Sequence, residues 1–359
     1  MNRLLIVLYV CLFFQNSLKA WNGEGHMTVA QIAYNHLGAV AKVKCDALIA
    51  INLGSYYSTG TSNFVTAAPW ADDFKSPLGT ANWHYIDIPI SLDGTSTSGV
   101  ATASFDIVRA INLCITNLQN DSLTASNRAV ALRYLIHFCG DITQPLHCST
   151  GVWSAKKSGD SGGNGFILKT NDNSDWNNLH SLWDDGGGYL TDTVYRPLTV
   201  TGKNILSNKV AQIETDYPYD YTATPIPLTN AMTWALESWN IARTNSYADI
   251  TNNTAPTTTY LDKAIATTEQ RMAVGGHRLA NLLNTLFPTD PVKFADIICT
   301  NGNLRFSWEA VTNVTYRVQW KQNLTDATWN DLTNITAASN SISFTEKVSE
   351  AQRFYRVAQ

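Results

Sequence analysis

A mainly α protein that ends in a small all-β module is what this sequence predicts, on three observations. Apolar stripes of helical period recur from Trp21 to about Pro288. After Asp290 the period drops to two, in short aromatic-rich runs. Ahead of both, Arg3 and the eleven apolar residues Leu4–Phe14 lead to Ser17-Leu18-Lys19-Ala20, the pattern of a cleaved secretory signal. Residues 1–20 are therefore expected to be removed, 21–290 to form the helical domain and 291–359 the β-module. The first apolar run is too short to span a bilayer comfortably, and no later stretch reaches ~18 apolar residues. A secreted or periplasmic chain without membrane insertion follows.

The elements can be taken in order. Met27–Leu37 carries an apolar stripe, and Ser126–Phe138 carries another with Ser126 as its expected N-cap. Leu228–Ala242 and Tyr260–Phe287 complete the helical set, the last closed by Pro288. Polar Gly/Ser/Thr/Asn-rich stretches at Ser91–Ser104 and Ser154–Gly165 read as loops. A single core can grow to roughly 250–300 residues, so one helical domain suffices. Four alternating runs follow: Leu304–Trp308, Tyr316–Trp320, Ser341–Phe344 and Phe354–Val357. Their spacing fits an antiparallel β-sandwich, and NLRFSW with TYRVQW resembles a fibronectin type III-like module.

Charge excludes one way of working. Without Arg3 and Lys19, 23 basic residues face 29 acidic ones, a net −6. A protein that held polyanions by its general surface would be basic, so any phosphate must be held locally. Five cysteines remain after the signal: Cys45, Cys114, Cys139, Cys148 and Cys299. In an oxidising compartment they allow at most two internal disulfides and one free thiol, and no CxxC spacing places them on a metal. Glycosylation sequons stand at Asn120, Asn252, Asn313, Asn323 and Asn334.

The chemistry is concentrated in two pairs. His137 and Asp141 are four residues apart in HFCGDITQPLH, as are His180 and Asp184 in HSLWD. On a helix that spacing puts imidazole and carboxylate on one face, able to close on one ion. Neutral imidazole with carboxylate suits zinc. By contrast, His36 and His277 fit no ligand motif and read as structural.

Eight pieces then stand in order: WNGEGH, PWADDFK, HYIDIP, RYLIHFCGDITQPLH, GGN, NLHSLWDD, WALES and GGHRLANLLN. Together they resemble the zinc-dependent, single-strand-specific nucleases of fungi and plants, whose helical fold is shared with zinc-dependent phospholipase C. The resemblance covers Trp21 to about Leu286 and implies three zinc ions. One would be held by Asp72, His84, His137 and Asp141. A second would be held by His26 and by Trp21, through its free α-amine and carbonyl, with Asp141 bridging. His147, His180 and Asp184 would hold the third. The resemblance also makes Asp72 the group that orients the attacking water and Lys75 a neutraliser of transition-state charge. Tyr85 would stack on an unpaired base, while Asp87 and Asn164 would read its edge. Between His147 and Gly162 the chain is longer than the fungal pattern, which bears on Asn164.

The activity implied is hydrolysis of single-stranded DNA and RNA to 5′-phosphorylated products, with nucleotides as further substrates through 3′-nucleotidase activity, by a monomer. A phospholipase C using the same metals is the rival enzyme. HYIDIP with GGN favours the nuclease, because stacking and base-edge groups serve no purpose on a choline head. An inactive binding protein that works through its β-module is the reading from another class, and the intact ligand set argues against it.

Overall fold

The computed structural model describes residues 21–56, 59–169, 176–191, 193–219, 230–288, 292–348 and 352–358. The expected signal, the Leu228 start of one predicted helix and the boundary residue 290 lie outside them. Nine α-helices appear among the described residues: α1 Gly23–Asn35, α2 Ala39–Ile49, α3 Trp70–Leu78, α4 Ile107–Gln119, α5 Ala125–Asp141, α6 Leu179–Asp184, α7 Val200–Asp216, α8 Met232–Ile241 and α9 Thr258–Leu286. A two-stranded parallel pair, β1 Pro89–Ser91 with β2 Thr150–Val152, stands among them.

Helix α5 is the axis of the helical part. From Ala131 to Asp141 every residue is buried, the polar Arg133, His137 and Asp141 included, so the helix is covered on all sides instead of on one stripe, as a central helix must be. Its cap differs from the sequence expectation. Thr124, not Ser126, has extended backbone, and its hydroxyl accepts from Asn127 N at 3.2 Å; Ser126 lies inside the first turn. Helix α1 also begins earlier than its apolar stripe, with the Asn22 side chain accepting from Gly25 N at 3.1 Å. Two glycines blurred that start in sequence, yet one of them is required. A Cβ on Gly25 would stand 2.7 Å from the Trp21 Cβ and 2.8 Å from Leu190 Cδ1.

The GGH of helix α9 proves to be a packing device. A Cβ on Gly276 would meet Ile32 Cβ of α1 at 2.5 Å, and one on Gly275 would meet the Cys139 carbonyl of α5 at 3.0 Å. Both glycines therefore let three helices approach closely. Behind the C-terminal end of α5, Glu237 pairs with the buried Arg271 and Arg278, and Arg271 Nε donates to the Thr143 carbonyl at 3.1 Å. That ties WALES of α8 to GGHR of α9. The disulfides that the sequence allowed are not formed: the five cysteines among the described residues are free thiols, four of them buried in one apolar core. Burial pushes those thiols well above the ordinary range.

The β-module holds six strands in two three-stranded sheets: β3 Phe294–Thr300, β4 Asn303–Glu309 and β7 Ser341–Lys347 in one, β6 Asn330–Thr336, β5 Thr315–Lys321 and β8 Phe354–Ala358 in the other. All pairings are antiparallel. Phe306, Trp308, Tyr316 and Val318 fill the space between the sheets. Strands β3 and β6 were not among the four predicted. Both are edges, β3 exposed along its whole length and β6 rich in Asn and Thr, so neither shows the alternation that reveals a half-buried strand. Val40 of α2 is buried in the same cluster as the module's core. No helix among the described residues is long and apolar enough to cross a membrane.

Candidate metal centre

The last turn of α5 presents His137 and Asp141, and α6 presents His180 and Asp184. Within each pair imidazole and carboxylate are 3.2 and 3.4 Å apart, as the helical spacing requires. Four other segments close around them. Asp72 comes from the first turn of α3, His26 from the N-terminal end of α1, and His84 and His147 from short 3-10 turns. All these side chains are buried except Asp72, which is half-buried.

Hydrogen bonds to carbonyls set the ring tautomers. His137 Nδ1 donates to Ala68 O at 2.7 Å, His147 Nδ1 to His84 O at 2.7 Å and His180 Nδ1 to Gly162 O at 2.6 Å. A carbonyl only accepts, so the proton sits on Nδ1 and the lone pair is left on Nε2, the usual arrangement behind a metal-ligating imidazole. His84 Nδ1 then faces His137 Nε2 at 3.0 Å, with Asp141 Oδ2 3.0 Å from it and Asp72 Oδ1 3.7 Å away. Both ring nitrogens of His26, His84 Nε2, His147 Nε2 and Asp141 Oδ1 are buried without a hydrogen-bond partner. So many inward acceptors and orphaned polar atoms would be costly unless a cation joined them.

Three groups have ligand atoms close enough to share an ion: His26 with Asp72 and His137, His84 with His137 and Asp141, and His147 with His180 and Asp184. The third coincides with the expected set. The first two share His137, and His26 Nε2 lies 3.3 Å from Asp141 Oδ1, so five side chains form one continuous cluster. Burial, then the nearby His137, pushes His26 below the usual imidazole range, and burial lowers His147 to about 3. Neutral rings result, as metal ligation demands. Burial raises the Asp141 carboxyl, but His137 outweighs it and holds Asp141 well below the carboxylate range. Burial drives Asp184 well above that range, against a hydrogen bond from Gln144 Nε2 at 2.7 Å.

Trp21 is fully buried beside this cluster, its Nε1 donating to Gly140 O at 3.1 Å, and Asn22 N donates to Asp184 O at 3.0 Å. Trp21 and Asn22 thus lie between the two metal groups. Lys75 is buried and donates to Asp72 Oδ1 at 2.9 Å. Tyr85 and Asp87 are half-buried on the irregular segment that leads into β1. Burial, with Asp160 nearby, raises Asp87 to about 6. Asn164 is half-buried, and its Nδ2 donates to Ser161 O at 2.7 Å, closing its own turn. Its Oδ1 and its second Nδ2 hydrogen are left for a base edge. Trp83 packs on Phe105 and Tyr134 in the core, and His36 pairs with Glu214 away from the centre.

Sequence reasoning passed over residues that hold the ligands. Gln144 sat inside a quoted motif, but its bond to Asp184 spans 40 residues. Gly140 lies so close to His26 that a Cβ would stand 2.8 Å from Nδ1.

Residues 21–288 match the S1/P1 nuclease family. The chain belongs to that family and is a hydrolase of the nuclease class. Nuclease P1 of Penicillium citrinum is 28% identical over 304 residues, which cover 76% of this chain and 100% of that protein. Nuclease PA3 of Penicillium sp is 29% identical over 294 residues, with the same two coverages. Endonuclease 4 of Arabidopsis thaliana is 25% identical over 304 residues, 77% of this chain and 92% of that one.

Proposed function

We propose that the protein is a secreted zinc endonuclease that cuts single-stranded DNA and RNA to 5′-phosphorylated products and also acts as a 3′-nucleotidase. The observation that carries this reading is the buried cluster of His26, Asp72, His84, His137 and Asp141 beside the group His147, His180 and Asp184. Its orphaned imidazole and carboxylate atoms fit zinc in kind and geometry. Trp21, with a free α-amine, would complete the ligands of a three-ion centre. Zinc held there would supply Lewis acidity toward phosphoryl oxygens and lower the pKa of water.

The chain's own groups do the rest. Asp72 accepts from Lys75, and its carboxylate is set to accept from an incoming water and aim it at phosphorus. Lys75 places its charge where negative charge builds on the phosphoryl group. Tyr85 offers a ring face for an unpaired base, worth ~1–3 kcal/mol at comparable sites. Asp87 accepts from base N–H groups, and Asn164 Oδ1 adds a second acceptor. A paired base has its edge and faces occupied, which gives the single-strand preference. The net-acidic surface is tolerable because attraction is confined to the centre.

The test is incubation of zinc-loaded protein with single-stranded DNA, duplex DNA, RNA and phosphatidylcholine vesicles. Rapid cleavage of the single strands, with 5′-phosphate ends, is expected. Vesicle hydrolysis without strand cleavage would replace this reading with the phospholipase C alternative.

A further inference from the structure

One buried carboxylate outside the ligand set gathers more donors than its own loop needs. Asp160 Oδ1 accepts from Gly151 N at 2.8 Å, Gly163 N at 2.9 Å, the Tyr247 hydroxyl at 2.9 Å and the Thr150 hydroxyl at 3.3 Å. Its Oδ2 accepts from the same Tyr247 hydroxyl at 3.0 Å. The side chain is 1% exposed. These donors belong to separate parts of the centre. Gly151 lies on β2, paired with β1, which follows Tyr85 and Asp87 directly. Gly163 lies between Asn164 and Gly162, whose carbonyl takes the proton of His180 Nδ1. His180 N also donates to the Gly163 carbonyl, at 3.4 Å.

We infer that Asp160 is a positioning residue that sets the base-reading loop and His180 of the third metal group in one register. The inference rests on the nuclease reading for its substrate arm alone. Oδ1 bonds both glycines, so β2, which pairs with the β1 strand after Asp87, and the Gly162–Asn164 turn are pinned to a single atom. Displacing that atom moves the Gly162 carbonyl, and with it the ring whose Nε2 faces Asp184. Base contact and metal ligation are coupled through one oxygen. Gly163 has φ +85°, a conformation that only glycine adopts readily. The turn therefore needs an external acceptor to hold it.

Variants of Asp160 separate this from a merely structural role. Asp160→Ala removes the acceptor. Asp160→Asn keeps one accepting oxygen for both glycines, and its amide can donate to Tyr247, whose hydroxyl also accepts. Zinc retention against a competing chelator is measured for each, with His180→Ala marking the signature of a lost third ion. Asp160→Ala should weaken retention of that ion about tenfold, as loss of groups behind a ligand commonly does, leaving the other ions in place. Its KM for a single-stranded oligonucleotide should rise several-fold and its kcat should fall. Asp160→Asn should stay within about twofold of wild type in both. If Asp160→Ala does not fold, Asp160→Ser, too short to reach both glycines, takes its place with the same expectation. A folded Ala or Ser variant with unchanged zinc retention and KM overturns the inference, as does an Asn variant damaged as badly as Ala. If the wild type fails to cut single strands, the substrate reading is wrong, while the zinc measurement still decides the role of Asp160.

Discussion

At the scale of single residues, side chains of similar chemistry carry different kinds of effect. His180 is held by Gly162 on one ring nitrogen and faces Asp184 with the other, and in the function proposed above it helps hold an ion where charge grows during reaction. In the same proposal Tyr85 supplies a ring face, which serves bound substrate and transition state alike. His180→Ala should therefore reduce kcat by two or more orders of magnitude, whereas Tyr85→Ala should act mainly on KM. Steady-state kinetics on an oligonucleotide separates the two, and an unchanged KM in Tyr85→Ala would remove the base platform. Gly140 gives a third case. Gly140→Ala places a methyl 2.8 Å from His26 Nδ1 on a rigid helix, so the ring must leave its position. A loss of bound zinc and roughly 10–100-fold of activity is expected; metal analysis of the folded variant checks it.

At the scale of elements, the start of α1 matters most. Gly25 allows Trp21 to tuck under the first turn, and Asn22 N bonds the last residue of α6. A nitrogen ligand from the Trp21 backbone must be a free amine, because resonance removes the lone pair of a peptide nitrogen. The α-amine has a pKa of ~7.7–8.0 and can lose its proton to a metal near neutral pH. Cleavage before Trp21 should thus be required for activity. Protein retaining one extra N-terminal residue should fold but lack one zinc and most of its turnover. Full activity in a verified extended protein would strike Trp21 from the ligands.

At the scale of the whole molecule, the ligands join α1, α3, α5, α6 and the turns at His84 and His147, segments far apart in sequence. Binding free energy at such a centre becomes folding free energy. Chelation should lower Tm and abolish turnover together, and restored zinc should return both; calorimetry with and without chelator shows this. The β-module contributes no candidate ligand among the described residues, but it covers Val40 of α2. Truncation after residue 290 should leave kcat within about twofold while lowering stability by about 1.5–3 kcal/mol, the cost of exposing one such side chain. A zinc-loaded truncation with collapsed kcat would show that the module shapes the site.

Sequence by itself determined the helical domain, the change of period after it and both His-Asp pairs, because each is a local pattern. Helical spacing alone puts His137 against Asp141 and His180 against Asp184. The ordered motifs likewise brought Asp72, His84, His147 and His26 into view. Other features had no local signal. Which imidazole nitrogen faces inward depends on carbonyls at Ala68, His84 and Gly162, and no periodicity encodes those contacts. The edge strands β3 and β6 lack a buried face to pattern them. Thr124 took the cap from Ser126 by backbone geometry alone, one extended residue ahead of the helix. Gln144, Gly140 and Asp160 act through partners brought close only by folding, so tertiary structure decided how they hold the centre.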